Sequence, residues 1–487
     1  MMAYETTIGL EIHVELATRS KMFCGCSTTF GSEPNTNTCP VCLGQPGSLP
    51  VANRAAIADT ILLALAMNCA ISEHSEFHRK NYFYPDMPKD FQISQYDVPL
   101  SHDGHLDVDM GDYVRTVGIT RVHLEEDTGK SVHIGESGRI HGAEYSLEDF
   151  NRAGIPLAEI VSEPDIKSPD EARAFLQLLR STIEYLEISD CKMEEGSLRC
   201  DANVSVSAGA GLGTKVEIKN MNSFRSLFRA LNYEVERQKY ALDNGQAIVQ
   251  ETRHWDDSAG KTHPLRSKEE AFDYRYFPEP DLAPIEPDLE WVEAIRARLP
   301  ELPAKRLERF KREFGLSSEM ASTLTGEKAL AGYYEEAVAT GQNPEKLATW
   351  IAGDLTAMLK EASVPISACP IRPQSLGELV ALIDSKVLSG KMAKDVLKTA
   401  FETRRAPKEI VDEKGLSQIA DVGELDMVVG EVISENPDAA NDIKEGKEQA
   451  LKFLMGQVMK KTRGKANPEM ASDLFKKRLL SEPRPKD

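Results

Sequence analysis

Residues 8–16 read Ile8-Gly9-Leu10-Glu11-Ile12-His13-Val14-Glu15-Leu16. Ile8, Leu10, Ile12, Val14 and Leu16 fall on one side of this stretch, and Gly9, Glu11, His13 and Glu15 on the other. A period of two is that of a β-strand, so the stretch predicts a strand with one face in a core and Glu11 beside His13 on a polar face. Residues 198–206 repeat the pattern, with Leu198, Cys200, Ala202, Val204 and Val206 alternating with Arg199, Asp201, Asn203 and Ser205. From residue 216, Val216 and Ile218 alternate with Lys215, Glu217 and Lys219. For one strand a solvated polar face is a sufficient reading. It weakens as His123-Leu124-Glu125-Glu126-Asp127 and Glu194-Glu195-Gly196-Ser197-Leu198-Arg199-Cys200-Asp201 add further charge to the same region. Concentrated carboxylates repel one another unless a cation or substrate sits among them, and carboxylates with water and phosphate oxygens suit Mg2+.

Outward from these strands the pattern changes period. Ser168-Pro169-Asp170-Glu171 fits a capping box, with Ser168 as N-cap. Ala172, Phe175, Leu176, Leu179, Ile183 and Leu186 follow at helical spacing. Phe224, Leu227, Phe228, Leu231 and Val235 form a second helical stripe, capped by Asn222 or Ser223. Both stripes read as core packing. Pro278, Pro280, Pro284 and Pro287 break the chain near residue 290, since proline fixes φ and lacks an N–H. From Trp291 onward Ala, Leu, Lys and Glu dominate and the texture is helical. A second change falls near Arg404-Arg405-Ala406-Pro407.

The 487 residues carry 58 Lys and Arg against 78 Asp and Glu, a net charge of −20. At 41% hydrophobic residues the chain can build real cores, which excludes a wholly disordered protein. The acidity argues against a non-specific DNA coat protein but leaves room for a local basic patch. The N-terminal residues show no basic start or apolar run, and residues 55–71 are interrupted by Asp59, Thr60 and Asn68. The expectation is a cytoplasmic protein with no membrane segment.

Cys24-Gly25-Cys26 is followed twelve residues later by Cys39-Pro40-Val41-Cys42. Two close pairs supply the four thiolates that a tetrahedral structural Zn2+ requires. The loop between them has little apolar content, so a metal would staple it. Unpaired thiols and a redox dithiol are the weaker readings, the latter because a thioredoxin-like context is missing. Cys69, Cys191, Cys200 and Cys369 are scattered and read as reduced core residues.

No nucleotide loop of standard spacing is present. Thr128-Gly129-Lys130-Ser131 would need a glycine at 124, where Leu124 stands. Residues 209–215 are rich in glycine but precede a strand, and read as a hairpin turn. Lys219-Asn220-Met221-Asn222-Ser223, where a strand passes into a helix, is a weak anion candidate through its free backbone N–H groups. His78-Arg79-Lys80-Asn81-Tyr82-Phe83-Tyr84-Pro85-Asp86-Met87-Pro88-Lys89-Asp90 reads as either a solvated loop or a partly buried polar path.

Residues 8–16, Arg79-Lys80-Asn81-Tyr82-Phe83-Tyr84-Pro85-Asp86, Glu125-Glu126-Asp127, Met193-Glu194-Glu195-Gly196-Ser197-Leu198-Arg199 and Asp273-Tyr274-Arg275-Tyr276-Phe277-Pro278-Glu279-Pro280-Asp281 resemble a known family. It is the B-subunit family of the tRNA-dependent glutamyl/aspartyl-tRNA amidotransferase. Gly456-Gln457-Val458-Met459-Lys460 and Gly464-Lys465-Ala466-Asn467-Pro468 extend the likeness to the C-terminus. The resemblance implies an α+β chain: a β-rich cradle domain over 1–290 with a zinc insert near 24–42, an all-α helical domain over 291–404, and a small all-α tail domain over 405–487 that contacts tRNA. It implies a heterotrimer with an amidase A subunit, which releases ammonia from glutamine, and a small C subunit. With ATP and Mg2+ the B subunit would phosphorylate the side-chain carboxylate of Glu-tRNA(Gln) or Asp-tRNA(Asn), and channelled ammonia would displace the phosphate. A non-catalytic, zinc-stapled tRNA-binding scaffold is the alternative. A self-sufficient glutamine hydrolase is disfavoured, since no Cys sits in a nucleophile context and no Ser-rich amidase segment is visible.

By motif, the resemblance implies that Glu11, His13, Glu126, Asp201 and Glu217 form the Mg2+ cluster, that Lys80 and Lys89 lie near the channel mouth, and that Ser197, Arg199, Lys219 and Asn220 contact the nucleotide. Glu126 departs from simple alternation: it shares its side with Val122 and Leu124, so periodicity favours Glu125 unless a bulge re-aims the chain. Asp90 stands where many members carry a small residue, a departure expected to alter local proton relay. Residues 451–487 hold ten basic residues and four acids, a net +6 within an acidic chain. With the resemblance, this predicts a tRNA-binding tail.

Overall fold

A computed structural model describes residues 4–135, 143–209, 211–265, 274–416, 422–444, 447–462 and 466–480. Ala210, Asp273, Arg463, Gly464, Lys465 and the charged residues beyond 480 lie outside these. The fold is α+β, with a strand-rich first part and a helical second part. It divides into two compact units, residues 1–306 and 307–487.

The first unit is built on a nine-stranded sheet. Its strands are β1 (Glu5–Glu15), β2 (Ala70–Ile71), β5 (Ser101–Asp109), β6 (Val114–Glu126), β9 (Pro156–Ser162), β10 (Leu198–Ser207), β11 (Val216–Lys219), β12 (Thr252–Asp256) and β13 (Lys261–Pro264). Their order is β13-β12-β11-β10-β1-β9-β6-β5-β2, with β1 at the centre. All neighbours are antiparallel except β11 and β12. The strand at residues 8–16 is therefore the hub, and its apolar face, Ile8, Leu10, Ile12 and Val14, is fully buried. Helices α1 (Arg54–Ala66), α2 (Pro169–Leu186), α3 (Phe224–Asp243) and α4 (Leu289–Arg296) contribute to the same core. A small sheet, β14 (Phe277–Pro278), β3 (His78–Asn81) and β4 (Phe91–Ser94), stands beside the large one. A ribbon of β7 (Lys130–Ile134) and β8 (Tyr145–Asp149) completes the strands.

The expected helix starts are present with one difference of detail. Ser168 accepts from Glu171 N at 3.2 Å, but Glu171 reaches back to Lys167 N (2.7 Å), one residue further than a capping box requires. Its spare bonding capacity goes to Tyr113 and Arg115 on β6 and the turn before it, which draws the carboxylate that way. Of the two candidates for α3, Ser223 is the cap, accepting from Ser226 N at 3.0 Å. Residues 55–71 form the buried α1 and then β2, and no helix among the described residues is long and apolar enough to cross a membrane.

The second unit is helical from residue 307 onward. Buried side chains form one cluster from Phe310 to Val411 and another from Leu425 to Leu479. The latter is supplied by helices Val422–Glu435, Pro437–Lys444, Glu448–Lys461 and Pro468–Leu480. Of the basic residues described there, Lys452, Lys460, Lys461, Lys476, Lys477 and Arg478 are all exposed. Lys461 pairs with Glu431 and Glu435, and Arg478 with Asp426.

Candidate functional site

Sheet register gathers the charged residues into rows. Glu11 lies opposite Asp201, and His13 lies between Arg199 on β10 and Glu159 on β9. Glu159 in turn lies opposite His123 on β6. His13 Nε2 is 3.5 Å from Glu159 Oε2, 3.7 Å from Glu125 Oε1 and 3.8 Å from Glu11 Oε1. His123 Nε2 is 3.3 Å from Glu159 Oε2. Two sets, Glu11–His13–Glu159 and His123–Glu125–Glu159, each bring their ligand atoms within 4.8 Å of one another. They share Glu159. At the far side of the row Lys219 Nζ binds Asp201 Oδ2 at 2.6 Å and Glu217 Oε1 at 3.5 Å.

The charges are strongly coupled. Burial alone would lower the pKa of His13. The Glu159 hydrogen bond and the Glu159, Glu125 and Glu11 charges outweigh it and raise the imidazole to about 9. Burial and the Glu159 charge push the Glu11 carboxyl above its ordinary value. Burial works against Lys80 as a cation, yet Glu125 and other groups hold its pKa above normal. Lys80 Nζ lies 5.0 Å from the Tyr274 ring centre and 5.7 Å from that of Tyr82. A site this rich in buried carboxylates with few cations can take a hard divalent ion completed by phosphate or water oxygens.

At the strand end, burial and then the Asp127 charge raise Glu15 to about 8. Burial disfavours ionised Asp127 too, but Arg199 and Arg152 prevail and hold it at about 2. Arg199 Nη2 donates to Asp127 Oδ2 at 2.9 Å. Burial and the Asp127 charge thus favour the proton on Glu15, while Arg199 and Arg152 favour the charge on Asp127.

Glu126 lies elsewhere. β6 changes register between Ile119 and Arg121, which leaves Val122 and Leu124 in the core and turns His123 and Glu125 toward His13. Glu126 follows Leu124 and points away from that cluster. It accepts from Ile93 N at 2.9 Å and from Lys89 Nζ. The small sheet sorts its residues likewise. Gln92 and Ser94 on β4 meet the chain at Glu126 O and Glu125 Oε2, and Lys80, paired with Gln92, lies on the Glu125 side. Arg79, paired with Ile93, faces the other side and clamps Glu279 with two bonds of 2.6 and 2.8 Å. On that side lies a cavity of about 310 Å³ whose lining includes Lys21, Cys42, Arg79, Lys89, Glu126 and Glu279. Consecutive side chains therefore diverge, with Glu125 joining the charged cluster around His13 and Glu126 lining the cavity on the other side of the β6 backbone.

The structure thus brings Glu11, His13, Asp201, Glu217 and Lys219 to one face, with Lys80 above it, and pairs Glu126 with Lys89 on the other side. Ser197 sits in the turn before β10, donating to Asp190 Oδ1 (2.5 Å) and accepting from Lys192 N (2.8 Å). Asn220, with φ of 70°, donates to Trp255 O at 3.2 Å in the β11–α3 junction. Asp90 is exposed and has φ of 61°, a turn conformation that favours a small residue. Sequence reasoning missed Glu159, His123 and Lys21. Glu159 is the lone acid in an otherwise apolar strand, and that isolation is the signal that was available.

Cys24, Cys26, Cys39 and Cys42 have their sulfurs within 4.8 Å of one another, with Cys39 Sγ to Cys42 Sγ at 3.9 Å. Four Zn–S bonds of about 2.3 Å in a tetrahedron put sulfurs about 3.8 Å apart, so the residues fit the ion. A hydrogen bond from Cys24, backed by Cys39 and the Lys21 ammonium, holds the Cys42 thiol down at about 4. The loop between the pairs is not bare. Asn35 and Asn37 bond Asp149, Glu148, Phe150 and Asn151 at 2.7–3.0 Å.

The profile of the GatB/GatE catalytic domain matches residues 6–293, and that of the GatB domain matches residues 332–479. The B subunit of the aspartyl/glutamyl-tRNA(Asn/Gln) amidotransferase of Carboxydothermus hydrogenoformans is 53% identical over 98% of this chain and 99% of that protein. Its counterpart in Caldanaerobacter subterraneus is 51% identical over 98% of this chain and 100% of that protein, and that of Brevibacillus brevis 50% identical over 99% and 100%. With this likeness running through both units, the chain belongs to the family of B subunits of the tRNA-dependent amidotransferase, a carbon–nitrogen ligase.

Proposed function

We propose that this chain is the amide-forming subunit of a cytoplasmic heterotrimer with an amidase A subunit and a small C subunit. It uses ATP to phosphorylate the side-chain carboxylate of Glu-tRNA(Gln), Asp-tRNA(Asn) or both, and then replaces phosphate with ammonia. The observation that carries this reading is the divergence of Glu125 and Glu126 to opposite sides of β6. One holds the acids and Lys80 that suit a charged phosphoryl site, and the other holds the polar Glu126–Lys89 pair that suits delivery of a small nucleophile.

The chemistry follows from the groups. A carboxylate resists nucleophiles because it is negative and its oxygen leaves poorly. Transfer of a phosphoryl group removes both obstacles and depends mainly on positioning and charge neutralisation. Mg2+ held by Glu11 and Glu159, with Glu125, Asp201 and Glu217 nearby and His13 joining only once it gives up its proton, would supply that neutralisation at the phosphate oxygens. Lys80 places a positive charge over the same face. Lys219 and Asn220, with Arg199 and Ser197, border the face at the β10–β11 side and are the residues assigned to the nucleotide. Glu126 and Lys89 present hydrogen-bonding groups to a cavity whose further lining, Lys21, Arg79 and Glu279 among it, is also charged.

The three-domain division, 1–290, 291–404 and 405–487, belongs to this reading. Three separate buried clusters support the number of domains, but they put the joins later, with the first cluster running on to Ile295, the second to Val411 and the third beginning at Leu425. Structural Zn2+ at the four cysteines and a tRNA contact on the exposed lysines of the last domain belong to it as well. The test is amidation by the reconstituted trimer with ATP, Mg2+, glutamine and each mischarged tRNA. Formation of Gln-tRNA(Gln) or Asn-tRNA(Asn) with ADP and phosphate is expected. Tight tRNA binding with no ATP consumption would replace it with the scaffold reading.

A further inference from the structure

The cysteine loop and the Glu126 cavity touch through a residue without a side chain. Cys39 to Gln45 forms a tight knuckle, with Leu43 N donating to Cys39 O (3.1 Å), Gly44 N to Val41 O (3.0 Å) and Gln45 N to Pro40 O (2.8 Å). Gly44 has φ of 63°, in the region that side chains avoid. A Cβ at Gly44 would stand inside the van der Waals shell of Lys89 Cγ and only 3.1 and 3.2 Å from Lys89 Cβ and Cα. The backbone of Gly44 thus lies flat against the root of the Lys89 side chain, which cannot step aside as a flexible tip would. From there Lys89 reaches Glu126, its side chain only 8% exposed.

A second contact joins the same parts. Lys21 is 1% exposed, and its Nζ donates to Cys42 Sγ at 3.6 Å and Phe150 O at 3.1 Å. A Cβ at Gly154, whose φ is 88°, would lie 3.4 Å from Lys21 Cδ, 3.5 Å from Cys42 Cβ and 3.8 Å from Glu126 Oε2. Cys42 and Glu126 therefore flank one point of the cavity wall. A loop that merely covered the surface would show neither contact.

We propose that the four-cysteine loop is the positioning element for Lys89: the closed knuckle seats Gly44 against the lysine stem and so holds Nζ on Glu126. Zn2+ in the four-thiolate site would keep the knuckle closed, and Lys21 ties Cys42 to the segment at Phe150. The clamp rests on geometry alone. Its effect on amide formation rests on the function proposed for Lys89 above.

The test is lysine labelling of the assembled trimer with an amine-reactive reagent, read at Lys89 by peptide mass spectrometry beside zinc content. In Gly44→Ala, Lys89 labelling is expected to rise about tenfold, as roughly 1.4 kcal/mol of strain at a left-handed, crowded position gives, with zinc retained. Gly25→Ala lies in the same loop, where a Cβ meets nothing within 4 Å, and labelling is expected to stay at the wild-type rate. Chelation of zinc from the wild-type trimer is expected to raise Lys89 labelling as Gly44→Ala does, which covers the case of a variant that fails to fold. Unchanged Lys89 labelling in Gly44→Ala or after zinc removal would overturn the proposal. Raised labelling with full glutamine-dependent amidation would uphold the clamp and remove Lys89 from the proposed reaction.

Discussion

At the residue scale, the division of labour turns on neighbours that alternate. Glu125 and Glu126 differ by one position and face opposite sides of β6, a charged cluster and a cavity. The run Val122, Leu124 already favoured Glu125 for the polar face, and family motifs favoured Glu126. The register shift between Ile119 and Arg121 shows in the sequence only as a change of phase, from Val117 and Ile119 to Val122 and Leu124; alternation continued from the first pair would have buried His123 and Glu125. Glu159 was illegible for another reason: only sheet pairing brings β9 between β1 and β6. Glu171 offers a test of buried charge away from the site. Burial opposes its ionisation, but the Lys167 N–H, Tyr113 and Arg115 prevail and lower its carboxyl pKa from 4.5. A depressed carboxylate stabilises the fold fully above its unfolded value and loses that contribution as pH falls through the folded one. Glu171→Gln is therefore expected to cost about 2 kcal/mol at neutral pH, in line with bonds to a charged acceptor. Its loss should shrink below pH 4.5 in denaturant titrations. An equal loss at all pH values would contradict the assignment.

At the scale of elements, the most legible parts were those whose pattern was clean. The strands at 8–16, 198–206 and 216–219 and the helices after Ser168 and Ser223 fold as their periods predict. The loop at 78–90 was harder, because its short strands carry charged and aromatic residues on both sides. One side of β3 and β4 serves the charged cluster and the other the cavity, so no amphipathic pattern marks them. The loop between the cysteine pairs looked unsupported, since its hydrogen bonds run to residues more than a hundred positions away. For α2, Ser168→Ala removes an N-cap acceptor and is expected to cost about 1 kcal/mol. Thermal unfolding of the first unit should move down accordingly, while Ser223→Ala should do the same through α3. No shift in either variant would contradict the capping roles.

At the scale of the whole molecule, a net charge of −20 coexists with a C-terminal segment of +6. Binding to RNA through a local patch predicts a salt dependence set by the few phosphates contacted, not by total charge. Deletion of residues 422–487, which spares Ile410 and Val411 in the middle cluster, is expected to weaken tRNA binding and flatten the slope of affinity against salt, with amide chemistry on saturating substrate retained. An unchanged slope would place the RNA contacts in the rest of the chain. A charged cluster and a cavity that divide the reaction are the centre of the proposed mechanism, and comparison of Glu125→Gln with Glu126→Gln tests them most directly. The measurement is ADP release by the reconstituted trimer with mischarged tRNA, beside glutamine-dependent amide formation. Glu125→Gln is expected to lose both, whereas Glu126→Gln should keep tRNA-dependent ADP release and lose amide formation. Loss of ADP release in Glu126→Gln with full release in Glu125→Gln would contradict the division.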